Sequence, residues 1–144
     1  MSRGYLLDTN VVSEPGRRSP DPAVMAWLDQ VSAWSVHISA LTIGEIEQGA
    51  ARLGDPGQRY IAWLEGTVLP QYAGRILSVD QAVATVWGRL RGQHAALGRS
   101  LPVIDSLLVA TAFVHDLTLV TRNVRDVRDL GVDVIDPAVP SDQT

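Results

Sequence analysis

A chain of 144 residues that is 46% hydrophobic is long enough to fold as one domain with a buried core, and this composition excludes a disordered chain. It has no cysteine, and all 12 basic residues are arginine, which excludes thiolate metal sites, disulfides, lysine Schiff bases and lysine-dependent phosphate loops. The net charge of −4 counts mildly against a plain DNA-binding domain but is compatible with a nuclease whose carboxylates hold metal.

The apolar patterning predicts strands that alternate with helices. Predicted strands cover residues 5–7, 35–39, 75–79, 117–121 and 132–135. Predicted helices cover the segment after an exposed loop at 13–22, residues 42–53, residues 59–69 with Pro70 ending that helix, a long helix capped by Asp80, and residues 104–115. Apolar spacing places Leu53 of the 42–53 helix and Leu97 of the long helix among the core residues. Alternation of this kind indicates an α/β fold with a mostly parallel central sheet that is covered on both faces. We expect the tail after Pro137 to be loose.

Four acidic residues follow predicted strands or lie in the first turns of predicted helices: Asp8, Glu45, Asp105 and Asp126. These places lie at the carboxyl edge of a parallel sheet, where ligands bind. Each acid also has an ordinary interpretation. Asp8 and Asp105 could be helix caps, and Glu45 could belong to a solvated face near a helix N-terminus. Gly49, one turn beyond Glu45, would leave room for a ligand.

Clustered carboxylates suit Mg²⁺ or Mn²⁺, which bind phosphate oxygens and can activate water for attack at phosphorus. We expect Asp8 and Asp105 to share one ion, directly or through water. The three histidines are well separated and favour structural roles. The arginine groups at 17–18, 89–91 and 122–128 could contact phosphates, although a solvated face is the simpler interpretation of each.

Five segments in this order resemble the PIN-domain nucleases, specifically the VapC/FitB-like toxins of bacterial toxin–antitoxin pairs. The matching segments are residues 6–14, 41–49, 73–77, 102–112 and 119–126. The resemblance implies a three-layer α/β/α PIN domain over residues 1–137, with a flexible tail at 138–144. It also implies a metal-dependent endoribonuclease, since Asp8, Glu45 and Asp105 match the three core acids of the family.

The resemblance assigns supporting hydroxyls to Thr9 and Thr121. The resemblance leaves two positions for the fourth acid of the site. Some relatives carry an acid where this chain has Asn123, and others carry it three residues later, where this chain has Asp126. The family often has phenylalanine at the position after that acid, where this chain has Val127.

The resemblance further implies a homodimer that a small antitoxin inhibits, alone or in a larger complex, with a basic antitoxin side chain in the acidic pocket. We expect a cytoplasmic protein without membrane contact, because the sequence shows neither a signal peptide nor an apolar run near the ~20 residues of a membrane helix. Two alternatives are a PIN nuclease of RNA processing or structured-DNA cleavage, and a degenerate PIN domain that only binds.

Overall fold

The computed structural model describes residues 4–139, whose centre is a five-stranded sheet. The strands are β1 (Tyr5–Leu7), β2 (Val36–Ser39), β3 (Ile76–Leu77), β4 (Thr118–Val120) and β5 (Val134–Ile135). They lie in the order β3-β2-β1-β4-β5, and every neighbouring pair is parallel. The predicted parallel sheet is therefore confirmed. The strand β1 has the predicted bounds, and the other four strands are shorter than the apolar runs that predicted them.

Within the described residues, seven α-helices connect and cover the strands: α1 (Thr9–Val12), α2 (Pro22–Gln30), α3 (Ala40–Leu53), α4 (Gln58–Trp63), α5 (Leu69–Gln71), α6 (Gln81–Ala96) and α7 (Val103–His115). The single helix predicted for 59–69 is α4, a π-helical segment (Leu64–Val68) and α5 in succession. Pro70 lies inside α5 and does not end the predicted helix. The wider π turn precedes Pro70, whose ring supplies no N–H to a regular α-helix.

Alternate side chains of the central strand enter two different cores. Leu6 packs in a core with Leu108 of α7, whereas Leu7 packs in a core with Val24 of α2 and Ile46 of α3. This period of two is what a strand buried on both faces requires. The helices therefore form layers on both sides of the sheet, as the three-layer prediction states.

Several local predictions are confirmed and others are wrong. The Asp80 carboxylate caps α6 by accepting a hydrogen bond from the Val83 N–H at 3.0 Å. Leu53 and Leu97, predicted as core residues, are 50% and 69% exposed because each lies at a helix end, beyond the packed part of its helix. The predicted exposed loop at 13–22 contains Glu14, which is fully buried.

The sheet order places a ligand-binding crevice at the ends of β1 and β4. The chain passes from β1 to β2 and β3 on one side, then returns to pair β4 with the other side of β1. Such a switch in direction leaves a crevice at the carboxyl ends of the strands. No helix in the described range 4–139 is long and apolar enough to cross a membrane. Of the tail predicted at 138–144, residues 140–144 lie outside the described residues.

Candidate active site

Asp8 lies directly after β1 and is 9% exposed. One carboxylate oxygen accepts a hydrogen bond from the Thr9 N–H at 2.6 Å, which caps the short helix α1. The other accepts a hydrogen bond from the Thr121 hydroxyl at 2.8 Å. Burial raises the pKa of Asp8, and these two hydrogen bonds oppose that rise. The cap interpretation of Asp8 is thus correct, and it leaves the residue at the crevice.

Glu45 is held at the same edge by the Thr9 hydroxyl, which also contacts the Thr42 hydroxyl. The Thr9 hydroxyl donates to Glu45 Oε1 at 2.6 Å, and it lies 3.0 Å from the Thr42 hydroxyl. Thr42 is one turn before Glu45 on α3 and is fully buried. The alternative interpretation of Glu45, as part of a solvated helix face, is therefore not supported, because its half-buried side chain accepts a hydrogen bond from Thr9 of α1. Thr42 was missed because a single threonine near a helix start carries no distinctive pattern.

Asp105 lies in the first turn of α7, three residues after the N-cap Pro102. It is therefore not the cap that a local interpretation of the sequence allows. Burial raises the pKa of Asp105, and the negative charges of Asp8, Asp126 and Glu45 raise it further. The four predicted acids are thus close enough to influence the charge of one carboxyl group, as expected for elements that meet at one sheet edge.

The turn after β4 carries the remaining predicted residues. Thr121 is fully buried, and its hydroxyl oxygen accepts a hydrogen bond from the Asn123 N–H at 3.0 Å. Asp126 ends the 3₁₀ turn that follows and is exposed. Of Thr121, Asn123 and Asp126, only Asp126 raises the pKa of Asp105. The Asn123 side chain makes no hydrogen bond that caps the turn.

Asn10 joins this turn to the start of the chain, a role that the sequence did not indicate. The side-chain oxygen of Asn10 accepts a hydrogen bond from the backbone N–H of Arg122 at 3.2 Å, and its side-chain NH₂ donates to the Thr121 hydroxyl at 3.4 Å. An amide two residues after a strand-end acid was a visible feature of the sequence. Its partners are more than 100 positions away, so no local pattern identifies them.

A second set of charged residues, also missed, lies beside the acids. Glu14 Oε2 lies 3.0 Å from Arg122 and 3.7 Å from Arg17, and its other oxygen accepts a hydrogen bond from the Asp21 N–H at 2.7 Å. Arg122 also contacts the Asp21 carboxylate at 3.3 Å. We call these four residues the Glu14 network. A glutamate between serine and proline is typical of an exposed loop, and its main partner is 108 positions away.

The donor set fits a hard divalent cation. In the described part of the chain the ion pairs are those of the Glu14 network, so Asp8, Glu45, Asp105 and Asp126 have no arginine or histidine partner there. No three acidic or histidine side chains among residues 4–139 converge as a complete metal-binding group. Mg²⁺ commonly binds through one or two carboxylates and keeps several waters. Two of these acids with water would therefore suffice.

Comparison with known proteins agrees with this fold. The PIN domain family model matches residues 5–131. The chain is 37% identical to Toxin FitB of Neisseria gonorrhoeae over 134 residues, covering 92% of this chain and 96% of that protein. It is 35% identical to VapC ribonuclease Y4jK of Sinorhizobium fredii over 138 residues, covering 94% and 99% of the two chains.

A solved structure shows the same similarity in three dimensions. The structure of FitAB bound to IR36 DNA fragment has a chain that superposes with a TM-score of 0.87 at 35% identity, covering 95% of this chain and 97% of that one. The class defined by this parallel sheet and its acidic edge is the PIN domain. Within it, the chain belongs to the family of VapC/FitB-like PIN toxins.

Proposed function

We propose that this chain is a metal-dependent endoribonuclease that acts as the toxin of a toxin–antitoxin pair. The observation that carries this proposal is the set of four acids at one sheet edge, which have no cationic partner among residues 4–139. Burial raises the pKa of Asp105, and the charges of the other three acids raise it further. Such a site attracts a divalent cation and, through it, a phosphate. The similarity to a protein named a toxin and another named a ribonuclease supports RNA as the substrate.

Each residue has a proposed role that follows from its contacts. Asp8 and Asp105 would hold Mg²⁺ or Mn²⁺, and when bound the ion would lower the pKa of water and offset charge on the phosphate. Thr121 and the Thr9 N–H fix both oxygens of Asp8. The Thr9 hydroxyl fixes one oxygen of Glu45.

The remaining acids would act on water at the reaction centre. Glu45 keeps its second oxygen for such a contact, because only Oε1 is engaged by Thr9. Asp126, exposed at the end of its turn, would add a fourth negative charge to the site, and the Asn123 amide would be an additional ligand of the ion. Because the chain has no lysine and its four acids have no histidine partner among residues 4–139 that could act as a general base, we propose water as the nucleophile in place of a side chain.

Cleavage of RNA by matched variants tests this proposal. Glu45→Gln should lower the cleavage rate on the order of 100-fold or more, the scale for loss of one preorganised electrostatic group. Glu47→Gln, which removes an exposed carboxylate from the same helix, is the control and should cleave as the wild type does. Cleavage should require Mg²⁺ or Mn²⁺ and stop with chelator. Cleavage that persists in excess chelator would refute the metal mechanism.

Binding of the ion is a separate measurement. Calorimetric titration with Mn²⁺ and with Mg²⁺ should show binding that Asp8→Asn and Asp105→Asn each weaken, and it would show which ion is preferred. Binding of metal without cleavage of any RNA would instead favour a degenerate PIN domain that only binds.

We also propose that a small antitoxin inhibits the chain, as the similarity to a named toxin suggests. A guanidinium from the antitoxin could pair with the carboxylates in place of the metal charge. An inhibitor whose basic residue near the pocket is removed should inhibit less while the complex still forms, since apolar contacts supply most affinity. Full inhibition without such a residue would refute this model. A homodimer and a cytoplasmic location remain predictions, for which size-exclusion chromatography and cell fractionation are the tests.

A further inference from the structure

A groove of about 930 Å³ begins at the acidic site and extends away from it along α3. Thr9 and Glu45 lie at its acidic end, and the helix face carrying Gly49 and Leu53 forms one wall. The opposite wall is the 3₁₀ turn after α1 together with α4. The groove is therefore continuous with the acids, and a chain that enters the site can extend along it.

Three arginines line this groove: Arg17, Arg18 and Arg59. All three are exposed, and Arg18 and Arg59 form no ion pair among residues 4–139. Arg17 is 3.7 Å from Glu14, but its side chain remains 57% exposed. Three cations in one groove are unusual in a chain of net charge −4. The charges of Arg18 and Arg59, which no carboxylate among residues 4–139 neutralises, and the largely exposed Arg17 favour a polyanionic ligand.

Two aromatic side chains, Tyr60 and Trp63, lie in the same groove and are partly exposed. Arg59 lies over the Tyr60 ring, with its guanidinium carbon 5.0 Å from the ring centre, and donates a hydrogen bond to the Tyr60 hydroxyl at 3.2 Å. The arginine and the ring therefore support each other. Single-stranded nucleic acid is bound by this combination, because cations contact the backbone and aromatic rings stack on bases.

The wall formed by α3 leaves the groove open at Gly49. A β-carbon added there would meet no atom within 4 Å. Leu53, which the helical pattern predicted to be buried, instead lies on this wall with half its surface exposed. An apolar wall opposite aromatic rings is suited to the faces of bases.

We propose that the groove binds the single-stranded RNA segment that flanks the cleaved phosphate, with Arg17, Arg18 and Arg59 on its phosphates and Tyr60 stacked on a base. This inference rests on the proposed function, because the groove is assigned to the substrate of the acidic site. It makes these residues determinants of substrate affinity.

The first test measures RNA binding without cleavage. A fluorescein-labelled single-stranded RNA of mixed sequence is titrated in chelator with the wild type, with Arg17→Gln/Arg18→Gln/Arg59→Gln, and with a control, Arg89→Gln/Arg99→Gln/Arg128→Gln. The control removes the same charge from exposed positions outside the groove. The groove variant should lose about tenfold or more in affinity, and its log–log salt slope should fall by about 2, since each single-strand phosphate contact contributes about 0.7.

The second test blocks the groove without changing charge. Gly49→Phe should weaken binding of the same RNA, whereas Gly92→Phe on α6, which also has open space at this position, should not. Tyr60→Ala should weaken binding by about fivefold or more, the range for one stacked base. Trp34→Ala removes an exposed ring outside the groove and serves as its control.

The outcomes separate this inference from the proposed function. Equal losses in the groove and control arginine variants would overturn it, because bulk charge would then explain the binding. Unchanged RNA binding in Gly49→Phe, with loss of antitoxin binding, would overturn it in favour of a protein-docking groove. If the wild type binds RNA through the groove but never cleaves it with Mg²⁺ or Mn²⁺, the proposed function fails and the groove assignment stands.

Discussion

Asp8 and Glu14 are buried carboxylates six positions apart, and they differ in charge compensation: Glu14 has arginine partners, whereas Asp8 has none among residues 4–139. Glu14 lies against Arg122, with Arg17 nearby and the Asp21 N–H on its second oxygen. Asp8 receives only a hydroxyl and one N–H, and its pKa is raised by burial. The Glu14 network neutralises its charge internally, whereas the acidic site keeps an excess of negative charge.

We propose that this difference distinguishes a structural acid from a functional one. A buried charge that is paired with hydrogen-bonded partners fixes the position of the elements that carry it. Here the pair joins the turn after α1 to the turn after β4, next to Thr121. A buried carboxylate without a cation is costly for the folded state and is explained by a ligand that supplies the charge. Four experiments test this distinction, from the largest expected effect to the smallest.

Breaking the Glu14 network should have the largest effect on stability. Arg122→Met leaves Glu14 buried without its main partner and should lower the free energy of unfolding by about 3–5 kcal/mol. Chemical denaturation measures this change. The exposed neighbour Arg125→Met is the control and should change stability by about 0.5 kcal/mol or less.

The double variant Glu14→Gln/Arg122→Met completes that comparison. Removing both charges leaves no unpaired ion, so it should recover part of the stability that Arg122→Met loses. If the loss of the double variant equals the sum of the losses measured for Glu14→Gln alone and Arg122→Met alone, Glu14 and Arg122 are not coupled and the network is not a structural unit.

Removing the hydroxyl that supports Asp8 should have the next largest effect. Thr121→Val leaves Asp8 Oδ2 and the Asn123 N–H without this partner, at a cost of about 1–3 kcal/mol. It should also raise the pKa of Asp8 further, because the Thr121 hydrogen bond lowers it. The loss should therefore shrink at low pH, where Asp8 is protonated. Thr121→Ser keeps the hydroxyl and should stay near the wild type; equal losses in both would assign the effect to packing.

Removing one charge from the acidic site should stabilise the fold slightly. Burial and the charges of Asp8, Asp126 and Glu45 raise the pKa of Asp105 above 3.8, so the folded chain binds this proton more tightly than the unfolded chain. Ionisation of Asp105 therefore lowers the stability of the folded chain. This loss is absent below pH 3.8 and complete above the raised pKa of Asp105. Asp105→Asn removes it and should gain less than about 1 kcal/mol at pH 7, given the partial exposure of the group.

Thermal unfolding at pH 7 and near pH 3 measures that gain, which should disappear at the lower pH. Glu47→Gln should change stability by about 0.5 kcal/mol or less at both pH values. A loss of stability in Asp105→Asn at neutral pH would show that this carboxylate supports the fold, and the contrast with Glu14 would fail.

Much of this architecture could be predicted from local patterns. The order of strands and helices follows from period-two and period-3.6 apolar spacing, which depends only on near neighbours. Asp80 was predicted as a cap because capping also acts within one turn. The same locality explains the errors, since apolar spacing marked Leu53 and Leu97 as core although nothing packs over these helix ends. The π segment before Pro70 was missed because it resembles an ordinary helix in sequence.

The candidate acids could be proposed from the sequence because each follows a strand or begins a helix, and parallel strands bring such positions to one edge. The partners of the acidic side chains could not be predicted from the sequence. Thr9 with Glu45, Thr121 with Asp8 and Glu14 with Arg122 are separated by 36, 113 and 108 positions, and only the packed sheet joins them. The sequence by itself determined the elements, the parallel class of the sheet and the acids, because those depend on local spacing. The tertiary structure alone decided which carboxylate is neutralised and which has no cationic partner among residues 4–139, because charge compensation depends on distances in space.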